Sequence, residues 1–92
     1  MIRINVQYEN SSISFIIEGT LAGEWAEEFE RCWEREMASG TFHSITVNLT
    51  AVSFMDEKGR KLLERFYKQG AVLKARGIMT QSVIDEIKGT TE

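Results

Sequence analysis

The stretch from Ser44 to Gly59, SITVNLTAVSFMDEKG, changes its hydrophobic period part-way along, and that change constrains the fold more than anything else in the chain. Ile45, Val47 and Leu49 alternate with Ser44, Thr46 and Asn48, the pattern of a strand that buries one face and wets the other. Beyond Val52 and Phe54, residues Leu62, Leu63, Phe66 and Tyr67 recur at helical spacing. Strand therefore passes to helix between Met55 and Gly59, with Asp56 where an N-cap belongs. A strand that runs straight into a helix is half of a crossover unit, so the flanking segments decide the architecture.

Upstream, Ile2, Ile4, Val6 and Tyr8 alternate with Arg3, Asn5, Gln7 and Glu9, and Ile13, Phe15 and Ile17 alternate again. The link Glu9-Asn10-Ser11-Ser12 is turn chemistry, so these two strands are expected to pair as an antiparallel hairpin. Gly19 and Gly23 bracket a loop before a helix in which Trp25, Phe29, Trp33 and Met37 form a stripe, with Ala26 and Cys32 beside it. Glu24, Glu27, Glu28, Glu30 and Glu34 make the solvated side of that helix, and Ser39-Gly40 ends it. Downstream, the second helix should end at Gln69-Gly70, and Ala71, Leu73 and Ala75 alternate with Val72, Lys74 and Arg76 as a fourth strand broken by Gly77. A short last helix stacks Val83, Ile84 and Ile87, with Thr80 as its N-cap and Lys88 to Glu92 as a frayed tail.

Because every strand alternates, the sheet should carry helices on one face only. Right-handed crossovers put successive helices on one face when the sheet grows in one direction, which gives the order 1-2-3-4 with strand 1 antiparallel and strands 2 to 4 parallel. The expected fold class is therefore α/β: a small mixed four-stranded sheet with three helices on one face. The 92 residues form a single domain, 1–92, since so short a chain cannot support two cores.

Composition excludes several function classes. One cysteine, Cys32, allows no internal disulfide, and no apolar run reaches signal-peptide or membrane-span length, so a cytoplasmic protein without a membrane partner is expected. Residues 1–50 hold three arginines against eight glutamates, whereas residues 51–92 hold eight Lys or Arg against six acids. The basic helix with Arg60, Lys61, Arg65 and Lys68 is divided by Glu64, whose spacing to Lys68 suits a solvated helix pair, so no nucleic-acid partner is expected. His43 is the single histidine, and no Ser, His and acid set, short-spaced metal-ligand pair or phosphate-binding Gly-rich loop occurs. The expectation is a protein that is not an enzyme, with no catalytic residues, no metal and no cofactor.

The run from Val47 to Gly59, VNLTAVSFMDEKG, resembles the signature of STAS domains, the sulfate-transporter and anti-sigma-factor-antagonist module. Glu18-Gly19-Thr20-Leu21 is similar to that family's Gly-x-Leu turn, and Gly70-Ala71-Val72-Leu73 to its strand after the second helix. The resemblance implies a small mixed sheet backed by helices, and a signalling module that binds another protein to regulate transcription. Members often carry a further strand and helix, for which this chain shows no segment. In the antagonists the motif reads Asp-Ser-Ser-Gly, and a partner anti-sigma kinase phosphorylates the first serine. Asp56 and Gly59 match, but the two serines fall on Glu57 and Lys58, so phosphorylation is not expected at residue 57. Ala22 stands where the antagonists usually carry Asp.

In an open parallel sheet, partners and ligands dock at the rim formed by the loops after the strands, here Thr20 to Gly23, Ser53 to Gly59 and Gly77 to Thr80. A helix start there favours negative charge. Glu57 has two readings: a carboxylate that only complements the helix dipole beside the Asp56 cap, or a fixed, partial imitation of phosphoserine. The expected partner-binding residues are Asp56, Glu57, Lys58, Gly59, Phe54, Met55 and Thr20. The partner implied by the resemblance is an anti-sigma factor of the serine-kinase type or a related regulator, with a homodimer left open. Alternatives are a sensor that binds a nucleotide or another small anion at the same rim, and a subunit of a larger signalling assembly.

Overall fold

The computed structural model describes the backbone of residues 1–76 and 78–91 and the side chains of residues 1–76 and 81–89. The elements run β1 (Ile2–Glu9), β2 (Ser12–Leu21), α1 (Gly23–Ser39), β3 (Ser44–Met55), α2 (Glu57–Lys68), β4 (Val72–Lys74) and α3 (Ile78–Thr91). The sheet order is β1-β2-β3-β4, with β1 antiparallel to β2 and the two following pairs parallel. This is the topology that the alternating strands dictate. Asn10, at φ 56°, makes the tight turn between β1 and β2, where Asn tolerates the left-handed region.

All three helices join one core on one face of the sheet. Ile13, Phe15, Ile17 and Leu21 of β2 and Val47 and Leu49 of β3 are buried with Phe29 and Trp33 of α1, Leu63 and Phe66 of α2, and Ile84 and Ile87 of α3. Trp33 and Phe66 stack with centroids 3.8 Å apart, and Phe29 meets Phe66 edge-on at 5.3 Å. Such pairs stabilise by about 0.5–1.5 kcal/mol each beyond the area they bury, and these lock α1 to α2. Arg65 lies over the Phe66 ring at 5.1 Å and reaches back to Glu30 and Glu34 of α1 at 2.7 and 3.1 Å.

Four details differ from the sequence expectation. β4 keeps only three residues of the alternating run, which pair with Thr46, Val47 and Asn48; beyond these β3 bulges and the Thr50 N–H donates to the Asn48 side chain at 3.0 Å. α1 ends at Ser39 as expected, but Gly40 is extended (φ −174°) and is no left-handed terminator; the Ser39 hydroxyl donates to the Glu36 carbonyl at 3.0 Å. α3 begins at Ile78, so Thr80 lies inside it and does not cap it, and the helix continues through Lys88 to Thr91 in place of a frayed tail. The break at Gly77 and the Thr80 side chain lie outside the described residues.

The feature that shapes the rim is a double bulge. The β2–β3 register slips between Ile16 and Glu18 and again between Gly19 and Thr20, each time by one extra residue of β3. Each slip turns the following β3 side chains to the other face. Val52 and Met55 consequently pair with Gly19 and Leu21 and face the helices, while Phe54 pairs with Thr20 and faces the open side. The second slip reverses the first, so Phe54 returns to the face that alternation from Leu49 gives it and is 57% exposed.

Candidate functional site

At the carboxyl ends of β2 and β3, the starts of α1 and α2 meet around one carboxylate. Asp56 caps α2, its Oδ1 accepting from the Gly59 N–H at 2.9 Å. Its Oδ2 accepts from the N–H of Gly23, the first residue of α1, at 3.0 Å. α1 has no cap of its own, because the preceding Ala22 has no side-chain acceptor. These bonds, that from Gly59 foremost, hold the Asp56 carboxyl below the usual aspartate range. Asp56 thus supplies both helix starts with the negative charge that their dipoles favour.

Gly59 is buried, and its place admits no side chain: a Cβ there would stand 2.1 Å from the Leu21 carbonyl oxygen. That close approach lets α2 lie directly on the end of β2, where the Asp56 N–H donates to the same carbonyl at 3.4 Å. Gly59 is therefore a packing residue, and half-buried Met55 likewise faces the core.

What the rim shows to solvent is a short row of contrasting side chains. Glu57, in the first turn of α2, has a carboxylate side chain 65% exposed and pairs with Arg60 at 3.3 Å. Arg60 also reaches Glu86 of α3 at 2.5 Å, so Glu57 shares its counterion with α3. Lys58 reaches Glu27 of α1 at 2.9 Å and holds that carboxyl below its ordinary range. Phe54 and half-buried Thr20 sit beside each other on the open face, and the Thr20 N–H donates to the Met1 carbonyl at 2.8 Å. Ser53, near the end of β3, donates its hydroxyl to the Gly19 carbonyl of β2 at 3.2 Å, a bond across the two strands where a local one was expected.

The structure thus gathers Asp56, Glu57, Lys58, Phe54 and Thr20 at one rim and turns Gly59 and Met55 inward. The third rim loop, Gly77 to Thr80, has its first residue and its side chains outside the described residues. Sequence reasoning placed Gly23 on the rim without its bond to Asp56 and missed Glu27 and Arg60. The Glu57–Arg60 spacing of a helix pair was a usable signal for the last; the Gly23 bond and Glu27 had none.

Chemistry elsewhere is sparse. Cys32 is 7% exposed, and burial pushes its thiol above the ordinary range, which disfavours the nucleophilic thiolate. A shallow cleft of about 260 Å³ between α1 and α2 is lined by Ala26, Glu30, Lys58, Lys61, Leu62 and Arg65. Among the described residues no group of His, Cys, Asp and Glu is placed to hold a metal ion, and no helix is long and apolar enough to cross a membrane.

The sequence profile of the family described as the STAS domain matches residues 3–80. The chain belongs to the STAS domain family. Its fold agrees with that of solved STAS-like structures. An anti-sigma factor antagonist from Mycobacterium paratuberculosis superposes with a TM-score of 0.84 at 22% identity, over 98% of this chain and 80% of that one. SpoIIAA, an anti-sigma factor antagonist in its unphosphorylated form, gives a TM-score of 0.63 at 16% identity, over 95% of this chain and 99% of that one. A DUF3478-family protein with a SpoIIAA-like fold from Shewanella loihica gives 0.58 at 16% identity, over 86% and 70% of the two chains. At these identities the likeness is one of fold. No curated protein matches this STAS domain by sequence.

Proposed function

We propose that this STAS domain is a non-catalytic protein-interaction module of bacterial signalling, of the anti-sigma factor antagonist type. On this reading its partner is an anti-sigma factor of the serine-kinase class or a related regulator, and Glu57 gives the contact surface a permanent negative charge in place of a switchable one. The observation that carries the reading is that an exposed aromatic, Phe54 at the end of β3, and an exposed carboxylate, Glu57 at the start of α2, flank one strand-to-helix junction. Asp56 already satisfies both helix starts, so Glu57 is spared from capping and projects to solvent beside Lys58. Aromatic side chains ringed by polar groups are the usual anchors of protein interfaces. A glutamate carries less charge and fewer acceptors than a phosphoserine, so the surface holds a muted version of the modified state.

The test uses the serine-kinase-type anti-sigma factors encoded in the same genome. Calorimetry should show one of them binding the wild-type chain, with at least tenfold weaker binding for Phe54→Ala and Glu57→Lys. With ATP, that kinase should phosphorylate Glu57→Ser at residue 57 and leave the wild type unmodified there. Binding indifferent to both substitutions, or no binding to any such protein, would overturn the reading. Saturable amide shifts at residues 53–61 on adding a nucleotide would replace it with a sensor function.

A further inference from the structure

The two edges of the sheet are protected unequally. β4 is three residues long, which leaves little to pair with. β1 is eight residues long, pairs with β2 along its whole length without a bulge, and carries no proline. Among the described residues nothing pairs with its outer edge, where it ends the sheet. Edge strands are usually blunted by lysine, proline, bulges or shortness, because an open row of N–H and C=O groups invites another strand. From Ile4 to Tyr8, INVQY, β1 has none of these devices.

Its side chains are also self-complementary in one register. Arg3, Asn5, Gln7 and Glu9 lie on the open face, exposed. Ile2, Ile4 and Val6 lie half-buried on the helix side, next to Tyr8, which is 59% exposed and is steadied by a 2.5 Å hydrogen bond from its hydroxyl to Glu36. Two copies set edge to edge and antiparallel about a two-fold axis through Val6 keep all helices on one side. Arg3 then opposes Glu9 of the second copy, Asn5 opposes Gln7, Ile4 opposes Tyr8, and Val6 meets its own copy. Moving the axis to Asn5 sets Arg3 against Gln7, and moving it to Gln7 sets Glu9 against Asn5, so either move loses both charge pairs. Opposite charges and aromatic–aliphatic pairs facing each other across antiparallel strands are stabilising, and like charges there are not.

The geometry points to β1 as a homodimer surface, joining two sheets into one of eight strands through the Val6-centred register. The inference is independent of the antagonist reading, since it rests on the sheet edge and not on residues 54–58. Sedimentation of the full chain at rising concentration tests it. The wild type should shift from monomer to dimer. Asn5→Lys combined with Gln7→Lys, both at exposed positions, sets lysine against lysine twice and should weaken dimerisation at least tenfold with an unchanged circular dichroism melt. Glu9→Arg should weaken it, and the charge swap Arg3→Glu with Glu9→Arg should restore it. A wild type that stays monomeric to millimolar concentration, a dimer indifferent to the paired lysines, or a charge swap that fails to rescue would each overturn the proposal.

Discussion

The starts of α1 and α2 lie side by side at one rim, yet they are built by opposite means. α2 is capped from within its own segment, Asp56 to Gly59, three residues apart. α1 opens on Ala22 and Gly23 without an acceptor of its own and borrows the second oxygen of that same carboxylate across a separation of 33 residues. One side chain therefore couples two helices that the chain makes separately, and losing it damages both. The contrast also explains why neighbouring acids at this rim differ so much: Asp56 is bound by two N–H groups, while Glu57 meets solvent and Arg60.

The largest expected effect comes from Gly59→Ala. A Cβ 2.1 Å from the Leu21 carbonyl must push α2 off the end of β2, costing roughly 3 kcal/mol and tearing the α2 start from the shared cap. A urea titration that finds it as stable as wild type would show that the close approach is relieved by a small backbone shift.

Asp56→Ala should come next, costing about 2 kcal/mol, at the upper end for a cap because two N–H groups lose their acceptor. Asp56→Asn sharpens the comparison, since an amide has one oxygen to offer. It should keep the local bond to Gly59 and release Gly23, which amide exchange at the two glycines would reveal as faster exchange at Gly23 alone. Equal exchange at both would mean that the caps are not ranked by distance along the chain.

The acid limb of stability tests the same carboxylate. Its folded-state proton affinity lies below the ordinary aspartate range, so its contribution is fully present above that range and disappears as pH falls through the folded value. Thermal melts across that limb should fall less steeply with decreasing pH for Asp56→Asn than for wild type. The smallest effect belongs to Glu57→Gln, whose exposed pair with Arg60 should change stability by about 0.5 kcal/mol or less. A larger loss would make Glu57 a structural residue and remove it from the contact surface.

Much of this was legible because the patterns are local. Ile45, Val47 and Leu49 alternate before Leu62, Leu63 and Phe66 recur at helical spacing, and that switch located Asp56 at a helix start. The run from Val47 to Gly59 also carried the family resemblance that the profile match bears out. What failed to show in β3 alone was the face of Val52: Val47 and Leu49 point inward, so straight alternation sets Val52 outward, and the first bulge, set by pairing with β2, turns it to the helices. The length of β4 failed similarly: its alternation runs on to Arg76, but pairing with β3 stops at Asn48 and Lys74, where β3 begins to bulge.

Hydrophobic period, turn residues and crossover handedness, all properties of short segments, were enough to determine the sheet order, the single layer of helices and the place where strand becomes helix. The second bond of Asp56, the closed space around Gly59 and the inward turn of Val52 arise only when segments far apart in the chain are packed together. Distance along the chain carries no record of distance in space, so these were decided by the tertiary structure.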